Sequence, residues 1–449
     1  MTEQLVTRYG GSAPRYTSYP TAPHFHDGVT GRDYESWLQV LPSTETLSLY
    51  LHVPFCQRMC WYCGCQTKIA AQYQPVADYA KHLAMEIELV SKQLRNRPSV
   101  QHIHWGGGTP TILSADDFMA LMNRLRTQFT ISFDAEIAIE IDPRTMTREY
   151  AGKLAEAGVN RASLGVQDFN PDVQKAINRP QSFEQTRDVT EWLRDAGIGH
   201  INLDLMYGLP QQTVADVQRT VDLTMALDAD RYSVFGYAHV PWMKTHQKQI
   251  VEADLPGAED RLNQAAAIAT RLQDNGYRAI GLDHFAKPDD TMVRALDGGR
   301  LHRNFQGYTT DSAATLIGLG ASAIGHLPQG YVQNTASVAP YKAAIEKGQL
   351  PVARGIKLSS NDRLRRQIIE RLMCDLAVDV TALTPPASSP LDAFGEELAQ
   401  IRCMQADGLV ELNDGVVQIT DAGRPYVRAV CAVFDQYLDK GRGRHSRAV

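Results

Sequence analysis

From residue 47 onward the chain alternates between two kinds of hydrophobic pattern. Short apolar runs rich in β-branched residues occupy positions 47–53, 100–105, 136–141, 161–166, 201–206 and 231–236. Between them, at 76–93, 115–128, 148–156, 183–196 and 214–227, apolar residues recur with the period of a helix. Strands alternating with helices of this length predict a parallel sheet with right-handed crossovers. Near-continuous apolar strands predict a sheet covered on both faces. Six such units fall short of the eight that close a barrel, so the expected fold is α/β, an open partial (β/α)6 barrel. A helix at 260–275 leads to a possible seventh strand at 277–281.

The flanks differ. Residues 1–46 have no long periodicity but carry Pro14-Arg15-Tyr16-Thr17-Ser18-Tyr19-Pro20-Thr21, dense in turn formers and aromatics. They read as an N-terminal arm, either packed on the surface or covering a site. Residues 47–357 form the barrel and its loops. From 358 to 449 the pattern changes to helices at 361–375 and 391–405, a β-hairpin at 408–412 and 416–420, and a final helix at 423–438. That order predicts a mostly helical, winged-helix-like C-terminal domain, read as a cap beside the barrel opening. The basic tail, 440–447, reads as a frayed end.

Composition narrows the function. A hydrophobic fraction of 43% supports a substantial core, and the net charge of −6 argues against a nucleic-acid partner. No apolar run reaches the length of a membrane span. Without an apolar leader segment the expected compartment is reducing, the cytoplasm, which argues against disulfides.

The densest chemistry lies in Tyr50 to Cys65, YLHVPFCQRMCWYCGC, with four of the seven cysteines. Pro54 lacks an N–H for the sheet, so the cysteines fall on a loop beyond the first strand. Cys56, Cys60 and Cys63 stand at C-x3-C-x2-C, with Cys65 two residues on. Thiolates so placed suit an iron–sulfur cluster, and three ligands on four irons leave one iron open to a small molecule. Structural zinc favours two separated cysteine pairs, and the chain has no second C-x2-C.

In an open parallel sheet, ligands bind at the carboxyl ends of the strands. Gly106-Gly107-Gly108-Thr109 follows the second strand, and its glycines let backbone pass close to a ligand. Glu140 ends the third strand and Gln167 follows the fourth, with Arg179 beyond it. Asp204 lies inside the apolar fifth strand, a costly place for an idle carboxylate, and Ala238 follows the sixth. The stretches 281–286 and 301–310 read as loops dense in His, Arg and aromatic rings, suited to a flat ligand that bears carboxylates. The small-residue run 318–325 suits close backbone approach.

The cysteine spacing resembles the signature of the radical S-adenosylmethionine (SAM) enzymes. With Cys65 and the motifs at 14–21, 281–286 and 301–310, the chain resembles the oxygen-independent coproporphyrinogen III oxidase family over nearly its whole length. The resemblance implies one [4Fe–4S] cluster on Cys56, Cys60 and Cys63, with SAM at two sites. Tyr50, Gly107, Glu140 and Ile324 match positions that hold the first SAM. Tyr62, Gly108, Thr109, Gln167, Arg179, Asp204 and Ala238 match positions around the second, although the family pattern has Phe where this chain has Tyr62. Cys65, His284 and Arg303 are the candidate catalytic residues, and Arg15, His284 and Arg303 the candidates for the pocket wall that meets the substrate's propionates. The implied reaction converts two propionates of coproporphyrinogen III to vinyl groups, giving protoporphyrinogen IX for haem synthesis. It needs an electron donor and an acceptor, and the resemblance leans to a monomer. The alternative is a haem-handling relative without decarboxylase activity.

Overall fold

The computed structural model describes residues 3–384 and 390–438, which leaves the basic tail outside the described residues. All six expected parallel strands are present: β1 (Thr46–Val53), β2 (Ser99–Gly107), β3 (Thr130–Ile141), β4 (Arg161–Gln167), β5 (His200–Tyr207) and β6 (Arg231–Gly236). They pair in chain order, each parallel to the next. On β1, Leu47, Leu49, Leu51 and Val53 are fully buried on one face and Ser48 on the other, as expected of a doubly covered strand.

The sheet extends beyond the six units. Added to it are β7 (Arg278–Ile280), β8 (His284–Ala286), β9 (Thr315–Leu319), β10 (Ile324–Leu327), β11 (Gly330–Asn334) and β12 (Val352–Lys357). The order in this twelve-stranded sheet is β12-β11-β10-β9-β1-β2-β3-β4-β5-β6-β8-β7, and its two ends do not meet. β9 pairs parallel with β1, while the remaining added strands pair antiparallel. The possible seventh strand is therefore β7, antiparallel and at the far edge. It is separated from β6 by β8, in a stretch that reads as a loop. The run 301–310 is likewise a hairpin, His302–Asn304 against Gly307–Thr309.

Local chemistry sets where the barrel helices begin. Ser114, Thr147, Ser182 and Thr213 each accept the backbone N–H three residues on, at 3.1, 3.2, 3.1 and 3.3 Å. Each cap closes a loop from a strand's carboxyl end, so those loops enter and leave at defined points.

The C-terminal unit holds helix Ser360–Asp375, a helix Pro390–Ala406 kinked at Phe394, and a three-stranded sheet of Ala377–Asp379, Val416–Ile419 and Val410–Asn413. The long final helix expected at 423–438 is a short 3-10 turn, Arg424–Tyr426, followed by helix Val427–Val433. Ala13, Tyr16 and Tyr19 of the arm are buried in this unit's own core, with Tyr426 and Phe434. Arg428 donates to the carbonyls of Ala13 and Pro14 and clamps the arm there.

Candidate active site

The cysteine loop is closed at its base. Phe55–Cys56 pairs with Lys68–Ile69, and Lys68 N donates to Pro54 O at 2.7 Å. One side is braced by Asn178, whose Nδ2 donates to Met59 O at 2.8 Å. The other side is held by Lys244 Nζ on Cys65 O at 3.0 Å and His246 Nε2 against Cys63 O at 2.7 Å.

Each sulfur of the C-x3-C-x2-C set receives a donor. Thr109 Oγ1 lies 3.4 Å from Cys56 Sγ, and the Cys65 N–H 3.4 Å from Cys63 Sγ. Arg144 Nη2 and Arg179 Nη1 approach Cys60 Sγ at 3.3 and 3.5 Å. The fourth cysteine is engaged differently. The Cys65 thiol donates to Cys63, which brings the Cys63 thiol down to about 6 and pushes Cys65 up. Burial pushes the Cys56 thiol up to about 11. Among the described residues no three His, Cys, Asp or Glu side chains gather around one point as a single-ion site requires. A four-iron cluster asks for something else, three thiolates on three separate irons, and donors to sulfur that tune its potential.

Glycine is demanded here by the protein itself. A Cβ on Gly108 would sit 2.5 Å from Phe55 O, and one on Gly107, whose φ is +116°, 2.8 Å from the His52 ring. The glycine loop thus packs flush on the cysteine strand, and its free face looks into the cavity. Gly107 N donates to Glu140 Oε2 at 3.1 Å, and Glu140 Oε1 meets His104 Nε2 at 3.2 Å. Burial alone would raise Glu140; these two partners bring it below the usual carboxylate range. Asp204 accepts from Ser163 Oγ at 3.0 Å and Asn202 Nδ2 at 2.8 Å, and burial pushes it up to about 6, with Glu140 adding to the rise. Gln167 holds φ at +69°, a left-handed conformation that costs a non-glycine residue about 1 kcal/mol.

One cavity of about 1530 Å³ joins these groups. The cysteines 56, 60, 63 and 65, Tyr62, Gly107, Gly108 and Thr109 line it, as do Glu140, Gln167, Arg179, Asp204 and Ala238. Arg15 and Arg303 line it as well. Against the expectation of a wall residue, His284 does not line it. On β8 the ring is 5% exposed, bonded through Nδ1 to Asp283 Oδ1 at 2.7 Å and set edge-on to Phe235 and Tyr308. Tyr50 and Ile324 also lie off the lining. They flank Gly318, which pairs with Tyr50 and on which a Cβ would meet Ile324 backbone at 2.7 Å.

Residues 50–224 match the profile of the radical SAM superfamily, and residues 358–426 that of the HemN C-terminal domain. Over the full length of both chains this protein is 49% identical to the oxygen-independent coproporphyrinogen III oxidase of Bradyrhizobium diazoefficiens. The chain belongs to the oxygen-independent coproporphyrinogen III oxidase family. The Pseudomonas aeruginosa member is 42% identical over 99% of this chain and 98% of its own. The solved coproporphyrinogen III oxidase (HemN) of Escherichia coli, described as a radical SAM enzyme, superimposes with a TM-score of 0.91. It shares 36% identity over 98% of this chain and 99% of that one. Membership of a radical SAM family implies a [4Fe–4S] cluster and SAM. Among the described residues no helix is long and apolar enough to cross a membrane.

For this coproporphyrinogen oxidase family member, sequence reasoning missed several cavity residues. Arg144 shares the Asp142 carboxylate with Arg179. Arg261, Arg424 and Arg428 line the same cavity as Arg15 and Arg303. Only Arg428 carries a local signal, a lone cation inside the apolar helix sequence VRAVCAV.

Proposed function

We propose that this chain carries out the anaerobic oxidative decarboxylation of two propionates of coproporphyrinogen III to vinyl groups, giving protoporphyrinogen IX. The observation that carries the reading is one cavity lined both by the three-cysteine loop and by arginines from the arm, the barrel and the C-terminal unit. Its volume exceeds the roughly 300–1,000 Å³ of a site for a single small ligand, in keeping with cofactor and tetrapyrrole together.

Cys56, Cys60 and Cys63 would hold the cluster. When bound, cluster and SAM supply a carbon-centred radical able to take hydrogen from an unactivated propionate carbon. The protein's own share is placement and exclusion of water. Glu140, fixed by His104 and Gly107, presents a carboxylate for an ammonium or ribose hydroxyl of the first SAM, beside Tyr50 and Ile324. Tyr62, Gly108, Thr109, Gln167, Arg179, Asp204 and Ala238 surround the second. Arg303 and Arg15 attract the propionates. Cys65, bonded to Cys63 and open to the cavity, is the candidate proton donor or acceptor near the reacting group, and His284 orients Asp283 behind Arg303. An external electron donor, a separate acceptor, a cytoplasmic monomer, and the three-part division at residues 46 and 357 complete the reading.

The test is anaerobic incubation of the reconstituted protein with SAM, a reductant and coproporphyrinogen III, followed by product analysis. Protoporphyrinogen IX with CO2 and 5′-deoxyadenosine supports it. SAM cleavage or porphyrin binding without decarboxylation favours the haem-handling alternative.

A further inference from the structure

Arg424 stands 25 residues from the end of the chain, yet it lines the same cavity as the cysteine loop. Its Nε and Nη2 both donate to Gly281 O, at 2.9 and 2.5 Å. One edge of the guanidinium is thereby fixed to the barrel, and no described group bonds its Nη1. Asp421, its nearest acid in sequence, is exposed and forms no ion pair with it within 4 Å.

The support under Arg424 also carries Arg303. Leu282 N, next to Gly281, donates to Tyr308 Oη at 2.9 Å, and the Arg303 guanidinium lies 4.4 Å from the centre of the Tyr308 ring. The Arg303 side chain is 5% exposed, and its Nε and Nη1 have no hydrogen-bond partner. The buried acid near it, Asp283, stays 3.8 Å from Nη1. A buried guanidinium with two idle N–H groups is costly unless an acceptor arrives. A second guanidinium set on the same backbone turn, with its outer edge open, fits the forked geometry by which arginine takes carboxylates.

We propose that Arg424 is a carboxylate anchor for the tetrapyrrole, contributed by the C-terminal unit to complete a wall that Arg303 begins on the barrel. This rests on the decarboxylase reading and deepens it: the C-terminal unit distinguishes a substrate bearing free acids from a neutral macrocycle of the same shape.

The test compares two probes on the cluster-loaded full-length protein, coproporphyrin III and its tetramethyl ester, titrated anaerobically by fluorescence quenching. Arg424→Gln keeps an amide that can donate to Gly281 O but loses the charge. The expected result is about tenfold weaker binding of the tetra-acid and unchanged binding of the ester. Equal weakening of both probes means that Arg424 only braces the loop, and no change in either means that it touches no substrate acid; both results overturn the assignment. Should Arg424→Gln lose its near-ultraviolet circular dichroism, Arg424→Lys takes its place. It keeps the charge without the fork, and a severalfold loss confined to the tetra-acid is expected. Unchanged tetra-acid binding in that variant overturns the assignment too. A wild-type protein that makes no protoporphyrinogen IX sinks the decarboxylase reading itself. A wild type that turns over while the Arg424 variants match it sinks only this anchor.

Discussion

Arg179 joins the cysteine loop to the fourth strand: its Nη1 lies 3.5 Å from Cys60 Sγ, and its Nη2 donates to Gly165 O at 2.7 Å. A permanent cation is thus fixed against a sulfur of the C-x3-C-x2-C set, and the same guanidinium reaches Asp142 at 3.4 Å. The cysteine loop and the groups proposed for the second SAM are mechanically one object, so substitutions at either are expected to be read at distinct but neighbouring sites.

Cys56→Ala, Cys60→Ala and Cys63→Ala are each expected to lose most of the about four irons per chain after anaerobic reconstitution. Cys65→Ala should keep them, and the wild-type brown colour should bleach in air. Iron and sulfide analysis decides this. A full cluster in Cys60→Ala, or loss in Cys65→Ala alone, would overturn the ligand assignment.

Asp204 should govern the second SAM. With its pKa raised to about 6, the carboxylate is charged above pH 6 and protonated below it. Affinity that depends on the charged form should fall about tenfold per pH unit as pH drops below 6. Asp204→Asn should bind about one SAM instead of two and show no such slope. Equilibrium dialysis with labelled SAM at pH 5 to 8 measures both; two sites of unchanged affinity in the variant would sink the placement.

Arg303→Ala should weaken substrate binding or positioning by about 2–4 kcal/mol, the cost of breaking a buried charge pair. Turnover should fall steeply while cluster content and slow uncoupled SAM cleavage persist. If the cluster is lost together with both activities, Arg303 is a structural residue.

Glu86, 1% exposed, accepts from Gly320 N, Asn334 Nδ2 and Tyr341 Oη, each at 2.6 Å. From helix Gln74–Gln93 it ties down the turn after β9, the end of β11 and helix Val338–Glu346. Burial raises its pKa to about 7, so the folded state favours the protonated form. Stability relative to Glu86→Gln should therefore be lost as pH rises from about 4.5 to 7, by roughly 3 kcal/mol in all. Glu86→Ala leaves three buried donors without a partner and should cost on the order of 3–5 kcal/mol. Urea unfolding across this pH range tests both; a pH-independent difference from the Gln variant would contradict the raised pKa.

The six parallel strands and the cysteine loop were legible in the sequence because their information is local. A doubly covered strand must be apolar on both faces, and the three cysteines proposed to hold the cluster fall within eight residues, Cys56 to Cys63. Gly108 was legible as glycine but not its reason, since the atom that excludes a Cβ, Phe55 O, belongs to another loop. At the far edge of the sheet the sequence offered a possible strand at 277–281, found as β7, but not its antiparallel pairing, and β8, three residues long, is too short to show a period. That is why His284 read as a loop residue and is found inside the sheet. The arginine wall was the least legible part. Arg15, Arg303, Arg424 and Arg428 come from the arm, a barrel hairpin, a 3-10 turn and the last helix. The bond from Arg428 to Pro14 spans 414 positions. No window of sequence holds such a pair; only the packing of the arm into the C-terminal core, with Tyr16 and Tyr19 buried beside Phe434, turns scattered cations into one electrostatic surface.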